Sequence, residues 1–374
     1  MITQIKNAFK NLLGWKTNKK LILFSVDDYG NVRLDSKEAR EQLDTAGLKN
    51  SSRFDAYDTL ETREDLQLLY ATLSSIKDKN NKSAVFTPYA LSCNIAFEKM
   101  AANNFSEYAY ELLPETYKKL TTQQADAYSG AWELWQQGIA TGLMAPQFHG
   151  REHLNLKVFH QKLKNKDADI LAALKNNSYT SINTKGYNIK SYTAAFAFQD
   201  VEDLKTYPEI IKSGLDAFEK VYGYRATVFT PPAQQFHPSL EHVLWENGIQ
   251  AIDKPFTAMQ HLGNSKYKRQ WNTTGIKKNN KITLVRNVVF EPTDNRNIDW
   301  VDFTMQQIAA AFRWNKPANI SSHRVNFCGH IDSKNRETGL AALKSLLQQI
   351  VKRWPDVEFI SAAELVEIIR ESKN

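Results

Sequence analysis

"LILFSVDDYG" (residues 21–30) runs from an apolar stretch straight into two adjacent carboxylates, Asp27 and Asp28, followed by an aromatic ring and a glycine. Burying charge is costly unless it is paired or used. A lone Asp-Asp pair is ordinarily a solvated turn, but the strand-like run before this one argues for a strand whose end opens into a working site. Successive side chains of a strand point to opposite faces. At its end, where the chain bends towards Gly30, both carboxylates can reach the mouth of a barrel.

Further strands are read at 83–89, 141–149, 227–232, 249–253, 282–290, 318–324 and 357–362, with helical patterns at 61–77, 104–138, 154–175, 200–221, 237–247, 299–313 and 335–353. Such alternation means parallel strands joined by crossover helices. Asp27, Asp28, His149 and His323 all fall at strand ends, and a βα barrel collects its active site at the carboxyl ends of its strands. The expected fold is therefore α/β, a single distorted seven- or eight-stranded, TIM-like (β/α) barrel with helical and loop insertions. Residues 93–138 and 254–281 are the expected insertions. No Pro/Gly-rich linker divides the chain, so residues 20–374 are read as one domain.

The chain has 374 residues, a formal charge of +7 and two cysteines, Cys93 and Cys328, which excludes a disulfide framework or thiolate metal site. The lysines are spread thinly and no nucleic-acid motif is present. No apolar run of about 18 residues is found. Residues 1–19 carry helical spacing (Ile2, Ile5, Phe9, Leu12, Leu13), and the first twenty residues hold five lysines and no acid. They are read as an N-terminal amphipathic helix packed on the main body, with contact to an anionic membrane surface as the alternative. They lack a signal-peptide core, and the expected location is cytoplasmic, with peripheral attachment at the inner membrane surface as an option.

"PQFHGREHLN" places His149 and His153 four apart, the spacing that puts two imidazoles on one helical face. Neutral imidazole suits zinc and other late divalent ions. With one carboxylate of the Asp pair, the histidines make a three-ligand set that leaves room for water and substrate, and the second carboxylate can act as base.

With these residues in view, the chain resembles a divergent member of the polysaccharide deacetylases, the nodulation-factor deacetylase homology group of carbohydrate esterases. "FSVDDYG" resembles the first motif, Thr-Phe-Asp-Asp-Gly, and "HGREH" the second, His-Ser/Thr-x-x-His. "FTPPAQQF" (229–236) is similar to the third, Arg-Pro-Pro-Tyr-Gly, and "ANISSHR" (318–324) matches the position of the last, a strand ending in Leu-His. Thr230 stands where the third motif has its arginine; Arg225 and Arg286 are the candidate replacements. The fourth motif, an Asp-Trp pair, is met loosely by Asp299 and Trp300.

The resemblance implies that Asp28, His149 and His153 hold a divalent metal, zinc first with cobalt or nickel as alternatives. It implies Asp27 as general base and His323 as general acid, with His330 as the rival acid, and an acetylated saccharide as substrate. Tyr29, Trp300, Pro231 and Pro232 are candidates for the sugar-facing wall. Arg151 is a candidate for an anionic sugar group or for pairing with Asp27. Two other readings stay open. One is a glycoside hydrolase using Asp27 with Glu291 or Asp294; the other is a non-catalytic saccharide-binding relative.

Overall fold

The computed structural model describes residues 9–187, 189, 191–262, 266–276 and 280–372. Its centre is a curled, mainly parallel sheet. In it β1 (Leu21–Tyr29) is followed on one side by β2 (Phe86–Ala90), β3 (Gln147–Phe148), β4 (Val228–Phe229), β5 (Ala251–Lys254) and β6 (Ile282–Val285). On the other side stands β8 (Ala318–His323) and beyond it β7 (Val288–Val289). All nine residues of β1 are buried, as expected for a parallel strand covered on both faces.

β6 and β7 close opposite ends of this path, yet only Arg286 and Asn287 separate them in sequence. The sheet must therefore curl until its ends meet. The run "ITLVRNVVF" behaves as one barrel position that pairs with β5 in its first half and with β8 in its second. Asn287 spans the break. Its amide donates to the Pro317 carbonyl at 2.9 Å and its carbonyl accepts the Asn319 N–H at 2.9 Å. The result is the expected distorted barrel. Gly275–Ile276 adds an antiparallel edge to β6, and Glu358–Phe359 pairs with the start of β1.

The helices differ from the sequence reading mainly where one pattern proves to be several elements. The pattern at 104–138 divides into Leu113–Gln123, Ala125–Tyr128 and Ala131–Ala140, with Gly130 at φ +81° opening the last. Its first residues instead form a two-stranded ladder, Cys93–Ile95 with Tyr110–Leu112. The 154–175 pattern breaks at Asp167, whose carboxylate caps the second helix by accepting the Asp169 and Ile170 amides. In the 254–281 insertion the described residues hold an antiparallel hairpin, Thr257–His261 with Tyr267–Trp271.

Of the N-terminal segment read as a helix over 1–19, residues 1–8 lie outside the described residues. Residues 9–11 are helical and the rest to 19 are not. That part is tied down by Trp15, whose amide donates to the Thr274 carbonyl at 2.7 Å and whose indole donates to Ser372 Oγ at 2.7 Å. Among the described residues no helix is long and apolar enough to cross a membrane.

Helix Ser333–Arg353 buries Leu343, Leu346, Leu347 and Ile350 in the core. Gly339 lies against the Asn326 backbone so closely that a Cβ would overlap its carbonyl oxygen. Gly339→Ala should therefore destabilise the fold by about 1–3 kcal/mol. That outweighs the roughly 1 kcal/mol gained in helix propensity, and urea unfolding would measure the net sign.

Candidate metal centre and active site

The strand that carries the two aspartates is bulged at its end. It pairs with β2 at Val26↔Pro88 and next at Tyr29↔Ala90, so one extra residue is inserted in β1. Asp28 takes φ +77° there, a conformation that Asp tolerates better than most residues. The bend is held from behind. Gly30 N–H donates to Glu61 Oε1 at 3.0 Å, and Glu61 in turn accepts from Arg324 at 2.9 Å and from the Tyr117 hydroxyl at 3.0 Å. Arg324 also forks onto Asp58 at 3.0 and 2.7 Å.

Asp28, His149 and His153 are all buried, and each offers one ligand atom within 4.8 Å of the others. Asp28 Oδ1 lies 3.2 Å from His153 Nε2 and 3.5 Å from His149 Nε2. His149 Nδ1–H donates to the Thr230 carbonyl at 2.7 Å. That contact fixes the tautomer and leaves Nε2 as a lone pair. The lone pair is buried and has no hydrogen-bond partner among the described residues, an arrangement that costs free energy unless a cation takes it up. Burial alone would raise the Asp28 carboxyl, but the two imidazoles hold it well below the ordinary carboxylate range. Two imidazoles and a carboxylate are the donors a catalytic divalent ion takes while keeping positions open. The residues present fit such an ion.

One detail corrects the sequence reading. His149 and His153 do not share a helical face, because residues 149–154 are irregular and the next helix starts at Leu156. Gly150 at φ +115° turns the chain instead, and the rings meet at a centroid distance of 5.1 Å.

Asp27 lies close to His149 and His323 and is claimed by Arg286. Its two carboxylate oxygens accept from Nη1 and Nη2, each at 2.7 Å, while Nε of the same guanidinium donates to Asp253 at 2.5 Å. Arg286 also donates to the Thr230 hydroxyl at 3.1 Å and lies over the Tyr89 ring at 5.0 Å. Burial would raise Asp27, but the guanidinium outweighs it and its carboxyl is lowered. Arg286 thus sets a cation against Asp27 from outside the 229–236 stretch, where Thr230 offers none. Arg225 is elsewhere, paired at the surface with Asp216 and Glu219.

His323 is level with Asp27 in the parallel register, and its Nε2 lies 3.9 Å from Asp27 Oδ2. Its Nδ1–H donates to Glu291 at 2.7 Å, and Glu291 is itself held by Arg53 and by the Asn326 amide. Burial would lower the imidazole, yet Glu291 raises it to about 9. Its side chain is 31% exposed, so a substrate can reach it. Its rival, His330, bonds Gln124 at 2.9 Å, packs on Tyr128 and is lowered by burial.

The proposed sugar-facing residues are placed unevenly. Tyr29 and Trp300 are core residues, 1% and 5% exposed, the first edge-on to Trp135 and the second packed on Phe303. Each is buried in the core. Arg151 reaches neither Asp27 nor an open site; it forks onto Glu152 at 2.6 and 2.8 Å and donates to Ser213 at 3.0 Å. Pro232 packs on Gly150, next to His149, and Pro231 borders a recess beyond Thr230. Sequence reasoning missed Asp253 and the Thr230 carbonyl. It named Glu291 only as a glycosidase carboxylate, and Arg286 without a place.

Scans against protein-family models and against curated proteins found no match. Among solved structures, the chain is similar to a protein assigned as a polysaccharide deacetylase from Mycobacterium smegmatis, with 12% identity, 96% of this chain and 94% of that one covered, and a TM-score of 0.47. It is similar to an allantoinase at 9% identity, 96% and 93% coverage and a TM-score of 0.47. A third is a glycoside-hydrolase family 57 branching enzyme from Thermococcus kodakaraensis, at 10% identity, 96% and 72% coverage and a TM-score of 0.47.

Proposed function

We propose that this chain is a metal-dependent hydrolase that removes an acetyl group from an N- or O-acetylated saccharide. The supporting observation is one cluster that sets a buried Asp-His-His donor set beside a carboxylate held ionised by arginine and an imidazole held protonated by glutamate. The order of the four motifs supports the acetylated saccharide as substrate.

A divalent ion held by Asp28, His149 and His153, zinc first with cobalt or nickel as alternatives, would polarise the acetyl oxygen and acidify water. The protein's own groups handle the protons. Asp27, kept ionised and oriented by the Arg286 fork, accepts the proton of the attacking water. His323 carries a proton at Nε2, on the Asp27 side of the cluster, for the departing amine or alcohol. Glu291 holds the other ring nitrogen, so the proton to be given stands on the atom that faces the substrate. Glycoside hydrolysis finds less support, because its acid needs a raised carboxyl pKa. Burial would raise Glu291 and Asp294, but His323 and Arg296 respectively bring them down.

The His323–Glu291 pair makes a signed prediction. An imidazole raised in the folded state stabilises the fold fully below its unfolded value of 6.5, and that contribution is lost as pH rises through about 9. Glu291→Gln should therefore move the basic limb of kcat/KM down from about 9 towards 6.5. An unmoved basic limb in a pH–rate profile would mean that His323 is not the acid.

The function itself is tested by metal content of untagged protein and by acetate release from acetylated oligosaccharides. About one equivalent of metal per chain and metal-dependent acetate release are expected. Protein that stays metal-free after incubation with zinc, cobalt and nickel would overturn the proposal.

A further inference from the structure

The carboxyl ends of β4 and β5 bound a second recess, beginning one residue beyond Thr230. It encloses about 580 Å³, its open mouth included, and is walled by Phe196, Phe198, Phe236 and Met259 together with Gln234 and His261. The hairpin Thr257–His261/Tyr267–Trp271 supplies one side. The wall is continuous with the metal centre. Pro232 and Phe196 lie 3.5 and 3.7 Å from where a Cβ on Gly150 would sit, and Gly150 follows His149.

Two polar atoms of this wall are buried without a hydrogen-bond partner, Gln234 Oε1 and His261 Nε2. His261 is 8% exposed. Its ring is held against Phe198 at 4.5 Å and stacked on Tyr267 at 4.8 Å, and its other nitrogen is taken by the Phe198 backbone. Nε2 is therefore a lone-pair acceptor. Burial lowers the imidazole, which keeps it neutral. Gln234 stands at φ +56° directly after Ala233 at φ +51°, a strained pair that holds only where the surroundings fix it. The lining charges Lys254 and Glu241 are paired to each other at 2.5 Å.

An aromatic recess with two unmet acceptors and neutralised charge excludes most occupants. An anion finds no uncommitted cation among the described residues of the wall. An alkyl or acyl chain leaves both acceptors buried and unpaired. A ring with an apolar C–H face and several hydroxyl donors satisfies both the aromatic walls and the acceptors. We infer that this recess is a subsite for a neutral, hydroxyl-bearing sugar ring adjoining the ring whose acetyl group is removed; the second half of that statement rests on the proposed deacetylase reading.

The test uses full-length protein with 13C-labelled histidine, the His261 Cε1–H resonance being assigned by its absence in His261→Phe. Xylotriose, maltotriose and the trimer of N-acetylglucosamine are titrated to tens of millimolar, with triglucuronate and octanoate as contrasts. At least one neutral trimer should move the His261 resonance, and Gln234→Ala, still carrying that resonance, should bind it about tenfold more weakly. The two contrasts should leave it in place. No shift with any neutral trimer, a shift with octanoate or triglucuronate alone, or unchanged affinity in Gln234→Ala overturns the inference. Failure of the deacetylase reading looks different. A neutral trimer that moves His261 in a protein releasing no acetate keeps the subsite and removes the chemistry; acetate release with a silent His261 does the reverse.

Discussion

Arg286→Met should cost about 3–5 kcal/mol of stability, the range for removing one partner of a buried ion pair. It should also reduce turnover by about a hundredfold or more. One guanidinium serves two buried carboxylates, with 2.7 Å contacts to both oxygens of Asp27 and a 2.5 Å contact to Asp253. Methionine fills similar space and leaves both acids without a cation. Burial raises Asp253 even with the arginine present, so in the variant it should take up a proton. Burial would raise Asp27, and the arginine is the first of the groups that hold it down, ahead of His149 and His323. Without it the base loses both its ionised state and its fork. In the native protein the lowered Asp27 stabilises the fold above its unfolded value of 3.8, and that gain is lost as pH falls through its lower folded value. In the variant both buried acids are raised, so their cost to stability should ease as pH falls and grow as pH rises through their folded values. Adding Asp253→Asn should recover part of the urea midpoint without recovering turnover, because the proposed base is Asp27 and not Asp253. Arg286→Met with undiminished turnover would remove Asp27 from the role of base.

Arg286 also shows what could be read from the sequence and what could not. A charged residue inside "ITLVRNVVF" raises the same question as the carboxylates ending "LILFSVDD", and both answers lie in the same cluster. The carboxylates were readable because a neighbouring motif pointed to metal and base. The arginine was not placeable, because its partner lies 259 positions away. The encounter depends on the sheet curling until β6 and β7 become one barrel position. Closure of that kind is set by strand register and curvature, which leave no local pattern. The bulge at Asp28 was invisible for a similar reason: it is an offset between two strands, and only the positive φ it imposes has a faint signal, the aspartate itself. The His149–His153 spacing expected two rings side by side, and they are, but by another geometry, since a glycine turn and a helical turn can both bring residues four apart together. Tyr29 and Trp300 were misplaced because an aromatic ring beside a motif reads alike whether it faces sugar or core, and only burial separates the two.

Asp27→Asn and Asp28→Asn, one residue apart, should fail in opposite ways. Asp28→Asn keeps a side chain that tolerates φ +77°, so the bulge should survive while one anionic ligand is lost. Metal affinity should fall by more than about a hundredfold, beyond the range for a residue that merely orients a ligand. Dialysed protein should then carry little metal and release no acetate. Asp27→Asn leaves Asp28, His149 and His153 untouched, and its amide oxygen can still accept from Arg286. Metal content should stay at the native level while kcat falls about 10²–10⁴-fold, the usual contribution of a general base. Measured by elemental analysis and single-turnover acetate release, the pair separates holding the ion from moving the proton. Equal metal loss in both variants would mean that the two carboxylates act as one ligand pair and that the base lies elsewhere. Retained metal in Asp28→Asn with turnover lost only in Asp27→Asn would show that His149 and His153 suffice to hold the ion, and would assign Asp28 to shaping the bulge that brings its neighbour into the cluster.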